Sequence, residues 1–191
     1  MPLNGFIVDI RRPGLLVEIQ TTAFGAMGRK FDQLLAEHRI LLVHPIAVHT
    51  YLQRPGRKPR KSPRHGSVFD IFAELVSIPT LIDHPNLMLD VVLVSVDEVQ
   101  KHDRRARRGR GGYRTLDRVL REVIDIHPFR GPQDLAALLP AGLPPRFTTA
   151  DIATHAGVSR TVAQQMTYCF RALEIILELH RTKVGIHYSR R

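Results

Sequence analysis

The chain has 191 residues, 28 Lys and Arg against 18 Asp and Glu, a formal charge of +10 and a hydrophobic fraction of 43% with no Trp. That is enough apolar material for a buried core, and the cationic surplus attracts polyanions, nucleic acid before an anionic membrane surface, without specifying a fold. A single cysteine, Cys169, excludes an internal disulfide and a thiolate metal cluster and fits a reducing cytoplasm. No signal-peptide pattern is present, and no run approaches the ~20 apolar residues of a membrane helix, so no membrane partner is expected.

In chain order, "GFIVDI" (5–10), the turn "RRPG" (11–14) and "LLVEIQT" (15–21) read as a β-hairpin. "TAFGAMGRKFDQLLAEHR" (22–39) switches to a helical period, with Phe24, Met27, Phe31, Leu34 and Leu35 on one face and Thr21 or Thr22 as cap. "ILLVHPIAVHTYL" (40–52) is a strand with Pro45 at a bend. Residues 53–67 form a Pro- and Arg-rich loop, 68–86 a short amphipathic helix ending near Pro79, and 87–100 a strand. After the basic, Gly-bearing segment 101–114, residues 115–129 read as the return arm of a hairpin, with a helix nearly as compatible. Residues 131–147 are a helical turn and a Pro-rich link. "TTADIATHAG" (148–157) and 158–181 are helix, Gly turn and helix, and the chain closes on two short strands about a basic turn. That closing order is the order of a winged helix-turn-helix.

Two carboxylates stand out. Asp9 and Glu18 each follow a β-branched residue in an otherwise apolar strand, where a carboxylate is expensive to bury unless paired, hydrogen-bonded or metal-bound. On the two arms of a hairpin they can converge, and a divalent cation acting on a phosphodiester uses such hard ligands. The spacing is equally that of two acids on the solvent face of half-buried strands.

Asp9, then Glu18-Ile19-Gln20, then an amphipathic helix and an apolar strand, resembles the core of the restriction-endonuclease-like superfamily, the PD-(D/E)XK nucleases, and in particular its Holliday-junction-resolvase-like and Mrr-like branches. The resemblance covers about residues 5 to 52. It implies a mixed sheet with flanking helices, Asp9 and Glu18 as ligands of Mg²⁺ (or Mn²⁺), and a water-positioning residue two beyond the Glu. That position holds Gln20 in place of the usual Lys, an amide that can hold water but brings no charge. Lys30, on the following helix, is the candidate to supply the charge. The superfamily core begins with a helix that often supplies a further acid, and no acid precedes Asp9 in this chain.

The cations cluster in two internal segments. Arg57, Lys58, Arg60 and Lys61 lie in the first, and Arg104, Arg105, Arg107, Arg108 and Arg110 in the second. Lys and Arg at such density favour phosphate contact with counterion release. Only Tyr113 adjoins them, so no aromatic platform for single strands is expected. In the helix-turn-helix, Ser159, Arg160, Thr161, Gln164 and Gln165 are the candidate groove or phosphate contacts. Cys169 reads as a small buried hydrophobe, and His44 and His49, five apart on a strand, as non-catalytic residues on opposite faces.

The expected architecture is an α/β restriction-endonuclease-like core with basic insertions over residues 1–130 and a winged helix-turn-helix over 131–191. Through "RKSPRHG", "ELVSIPTLIDHPNL" and "FTTADIA" the whole chain resembles an uncharacterised prokaryotic family of this two-part build. The expected function is a Mg²⁺-dependent DNA endonuclease or a degenerate relative. The alternative is a non-enzymatic DNA-binding protein or transcriptional regulator using the winged helix. DNA is the expected partner, and a homodimer stays open.

Overall fold

The computed structural model describes residues 2, 3, 5–103, 112–183 and 185–191. The chain divides into two compact units, one of Met1–His44, Phe69–Val91 and Pro128–Arg191 and the other of Pro45–Val68 and Val92–His127. It is a mixed α/β fold, a mixed sheet flanked by helices.

In the first unit, β1 (Pro2–Leu3) pairs antiparallel with β2 (Phe6–Ile7), and β3 (Ile10–Arg12) pairs antiparallel with β4 (Leu15–Ile19). The predicted strand 5–10 is thus split in two, and Arg11 and Arg12 are strand residues. The reversal falls on Pro13-Gly14, where Gly14 takes φ 71, a left-handed turn that glycine adopts at no steric cost. A 3-10 turn (Phe24–Met27) and helix α1 (Gly28–Leu34) then carry the chain to β5 (Ile40–Gln53), which runs parallel to β4 in the register Glu18↔Leu42. A parallel neighbour requires such a helical crossover. Four further strands follow: β6 (Arg60–Lys61), β7 (Leu87–His102), β8 (Tyr113–Phe129) and, after the link, β9 (Phe147–Thr148). The main sheet has the order β3-β4-β5-β7-β8, with β6 also pairing β5.

Two helical expectations shorten. The helix expected over 22–39 covers seven residues, because Ala23 adopts φ 61 and the α-helix begins only at Gly28, five residues later. Neither Thr21 nor Thr22 caps it: the Phe24 amide donates to Glu74 Oε2, 3.1 Å away, from elsewhere in the chain. The helix expected over 68–86 is one α turn, α2 (Phe72–Leu75), between 3-10 turns at Val68–Ile71 and Leu81–Asp83. Its apolar residues still point inward, since Ile71, Phe72, Leu75 and Ile82 are all buried. The alternation on β5, with Ile40, Leu42 and His44 buried, is that of a strand covered on one face.

Past α3 (Pro132–Ala136), the closing elements are β9, α4 (Thr149–Ala156), α5 (Arg160–Ala172), β10 (Ile176–Thr182) and β11 (Gly185–Arg190), with the three strands ordered β10-β11-β9. The pairing of β9 with β11 has no counterpart in the sequence reading. Thr148 and Asp151 form a reciprocal capping box on α4. Ser159 Oγ accepts the Val162 amide at 3.2 Å and so starts α5. Phe170 of α5 meets Phe72 edge-on at 5.2 Å between ring centroids.

In the second unit, the basic loop runs along β5. The Ser62 amide donates to the Thr50 carbonyl (2.7 Å) and the Gly66 amide to the Ala47 carbonyl (3.1 Å). A side chain at 66 would lie 2.7 Å from that carbonyl oxygen, so glycine permits the approach. Residues 115–129 are strand throughout, as the hairpin reading expects. Among the described residues no helix is long and apolar enough to cross a membrane.

Candidate functional site

The opening hairpin and α1 bring two of the predicted site residues, Glu18 and Lys30, together, and Asp9 lies on the same hairpin. The β3–β4 register pairs Ile10 with Val17, Arg11 with Leu16 and Arg12 with Leu15. Asp9 stands in a bend just before β3, outside this pairing, and Glu18 lies on β4 beyond Val17. Asp9 is exposed, and its Oδ2 accepts the Ile19 amide at 2.8 Å. Glu18 is 5% exposed, between buried Val17 and exposed Ile19. Lys30 reaches it from α1: Nζ lies 2.6 Å from Glu18 Oε1 and also donates to the Ile7 carbonyl. Lys30 is therefore not a solvated surface lysine but the counter-charge of a buried carboxylate.

Gln20 stands at the rim. Its amide donates to the Val43 carbonyl (2.9 Å) and its side-chain Nε2 to the Thr22 carbonyl (2.5 Å). One residue read as non-catalytic in the sequence, His44, holds this segment. His44, buried, places Nδ1 2.7 Å from the Gln20 carbonyl. A carbonyl only accepts, so Nδ1 carries the proton. Burial pulls the His44 pKa below its ordinary value, against the opposing effects of that hydrogen bond and of Glu74 and Asp70. Its ring meets Phe24 edge-on at 5.1 Å. The sequence signal was there: His44 shares strand parity with Ile40, Leu42 and Ile46, the buried set. Among the described residues, no group of three or more His, Cys, Asp or Glu side chains is placed to hold a metal.

The cations make two clefts. In the first unit, Arg11, Arg12 and Arg39 line a cleft of about 600 Å³ with the Pro13-Gly14 turn, Glu37 and His38. In the second, Arg54, Arg60, Arg64 and Arg118 surround one of about 660 Å³, with Thr50, Ser62 and Thr115 as hydroxyl neighbours. Glu98 sits among these guanidiniums. Burial pushes its carboxyl up, but hydrogen bonds from Thr115 (2.8 Å) and Gln100 (2.6 Å) and the charge of Arg118 outweigh that and hold it below the ordinary value. Of the predicted phosphate contacts, Arg57, Lys58, Arg60 and Lys61 are exposed, the last two on β6 opposite Leu52 and Tyr51. Arg104, Arg105, Arg107, Arg108 and Arg110 lie outside the described residues. Tyr113 is covered by the Arg54 guanidinium, 4.0 Å from its ring centroid, and so offers no open stacking face there. On α5 and its cap, Ser159, Arg160, Thr161 and Gln164 are exposed and Gln165 is half-buried.

A mixed α/β protein with a carboxylate–lysine cluster on its first hairpin and helix is the class this geometry defines. The family described as "Domain of unknown function (DUF8091)" matches residues 1–130, and the chain belongs to that family. It is similar to an uncharacterized protein of Treponema pallidum (strain Nichols), 34% identical over 163 residues, which are 82% of this chain and 65% of that protein. The chain thus spans about 65% of that relative's length. No solved structure matches the chain significantly.

Proposed function

We propose that the protein binds DNA and hydrolyses its phosphodiester backbone in a divalent-cation-dependent reaction at Asp9, Glu18 and Lys30. The observation that carries this reading is the Glu18–Lys30 contact. It brings the helix lysine to the carboxylate of the nuclease-like motif, the place that the replacement of the motif lysine by Gln20 leaves without charge. The donor set suits a hard cation such as Mg²⁺ or Mn²⁺, which takes one or two protein carboxylates and leaves its other positions to water and phosphate; Asp9 and Glu18 would hold it. Such a cation, when bound, supplies Lewis acidity and an acidified water. Lys30 would offset charge on the phosphate, Gln20 would position water, and His44 would keep the Gln20 peptide in place. The two arginine clefts and the exposed Arg160, Thr161 and Gln164 of α5 would contact the phosphate backbone and groove, with β10 and β11 as the wing of a winged helix.

The second reading is a DNA-binding protein without catalysis. It draws on the same atoms: Glu18 is already neutralised by Lys30, and Asp9 already holds the Ile19 amide, so both carboxylates have structural work. The deciding experiment incubates the protein with linear and branched DNA in Mg²⁺ or Mn²⁺, beside Asp9→Ala and Lys30→Met. The proposal expects cleavage by the parent, its loss in both variants and DNA affinity kept in all three. DNA binding without cleavage by the parent under either cation selects the second reading.

A further inference from the structure

Half of the large apolar side chains that stand exposed among the described residues lie on one strand, β8. Leu116, Val119, Leu120, Val123, Ile124 and Ile126 are between 44% and 58% exposed. β8 ends the main sheet's strand order, next to β7, so among the described residues its other edge has no partner strand. The amides of Arg118 and Ile126 donate to the carboxylates of the residues just before them, Asp117 (2.7 Å) and Asp125 (2.8 Å). The two are eight residues apart, so in a regular strand the amides of Leu120, Glu122 and Ile124 face the same way, off the edge. Open edges are usually blunted by charged side chains, Lys above all, by Pro or by a covering element; residues 114–127 contain neither Lys nor Pro, and their three Arg balance two Asp and one Glu, so the edge is charged but self-complementary.

We infer that β8 is a homodimer surface, on which a second copy of this chain adds its own β8 antiparallel, edge to edge. Self-pairing about a two-fold axis normal to the sheet requires a residue opposite itself, and the charges choose which. Centred on Leu120, the strands set Arg118 against Glu122 and Leu116 against Ile124, each contact made twice. Centred on Arg121, they set that guanidinium against its copy and Asp117 against Asp125, which like-charge repulsion disfavours. Centred on Val119, they match Asp117 with Arg121 but leave Leu116 opposite Glu122. Centred on Val123, they match Arg121 with Asp125 and Leu120 with Ile126 but leave Glu122 opposite Ile124. The Leu120 register therefore pairs opposite charges and apolar side chains over residues 116–124 of one face, with Arg118 also 3.5 Å from Glu98 of its own chain, and gives the outward amides of Leu120, Glu122 and Ile124 backbone carbonyls. Pairing of one strand edge per chain makes a small interface, in the size class of transient contacts, so the dimer is reversible and concentration-dependent. This inference is independent of the carboxylate site.

Sedimentation equilibrium of the full chain over micromolar to millimolar concentration tests it, with circular dichroism to establish that each variant is folded. The parent is expected to pass from monomer to dimer mass. Leu120→Lys and Glu122→Arg are each expected to raise the dimer dissociation constant about tenfold or more, by setting like charges across the axis. The double variant Arg118→Glu/Glu122→Arg exchanges the pair and is expected to restore the dimer. A parent that stays monomeric throughout, a folded Leu120→Lys that dimerises like the parent, or a folded double variant that stays monomeric overturns the inference.

Discussion

Lys30 Nζ lies 2.6 Å from Glu18 Oε1, and both side chains are largely withdrawn from water. Removing one member strands the other charge, which costs about 3–5 kcal/mol for a buried pair. Glu18→Gln and Lys30→Met should each lower the urea midpoint sharply. The double variant should recover much of the loss, because no unpaired charge remains. A double-mutant cycle with no coupling would mean that the two side chains do not interact in solution.

His44 links the fold to pH. Its folded pKa is depressed, chiefly by burial, so below the unfolded value of about 6.5 the unfolded chain binds more protons. Stability contributed by neutral His44 is therefore present above that value and is lost as pH falls from it toward the depressed folded pKa. His44→Asn keeps an N–H for the Gln20 carbonyl and removes the titration. Denaturation midpoints measured from pH 7 to pH 5 should fall more steeply for the parent than for the variant.

Cys169 is fully buried, and burial pushes its thiol up to about 12. Thiolate is the reactive form, so the native protein should resist a thiol-specific chromogenic reagent at pH 8. Labelling should appear only with unfolding, and its rate should rise with denaturant. Prompt stoichiometric labelling of the native chain would place Cys169 on the surface.

Asp151 closes the capping box of α4, and its carboxyl is held below the ordinary range first by the Thr148 amide and then by the Thr148 hydroxyl. Thr148→Ala should destabilise by about 1 kcal/mol at pH 7, as cap removals do. The Asp151 contribution is present above the ordinary carboxylate pKa and disappears as pH falls through the depressed one. The difference between the parent and Asp151→Ala, followed by thermal melting, should shrink across that acidic window.

The arginine cleft of the second unit gives a salt test. If Arg60 and Arg64 touch duplex phosphates, Arg60→Ala/Arg64→Ala should weaken binding of all sequences alike. The double variant should also lower the log–log salt slope by up to about 0.9 per contact removed. An unchanged slope would take this cleft out of the footprint.

Much of the order was legible because local chemistry carried it. β-branched runs bounded by Pro and Gly marked the opening hairpin. An apolar, β-branched run marked β5, and Gly157 marked the turn between the two closing helices where the structure has it. The helices over 22–39 and 68–86 were overestimated, because their apolar spacing suits a helix and a series of short turns alike. Only the tertiary arrangement decides between these, through the left-handed Ala23 and the Glu74 carboxylate on the Phe24 amide.

The site divides in the same way. Asp9 and Glu18 could be singled out from residue type, because a charge in an apolar run needs a partner, and Lys30 through the resemblance to the nuclease motif. Which partner each takes could not. Spacing along the chain says nothing about whether Lys30 turns to solvent or to Glu18, or whether Asp9 meets an arginine or the Ile19 amide. His44 was read only as a non-catalytic strand residue: parity could mark it as buried, but the partner it holds is a carbonyl 24 residues away. The β-branched content of residues 115–129 likewise suggested a strand, with a helix nearly as compatible. The place of β8 at the end of the sheet, where among the described residues no neighbour covers the apolar side chains, belongs to strand order, which long-range pairing alone determines.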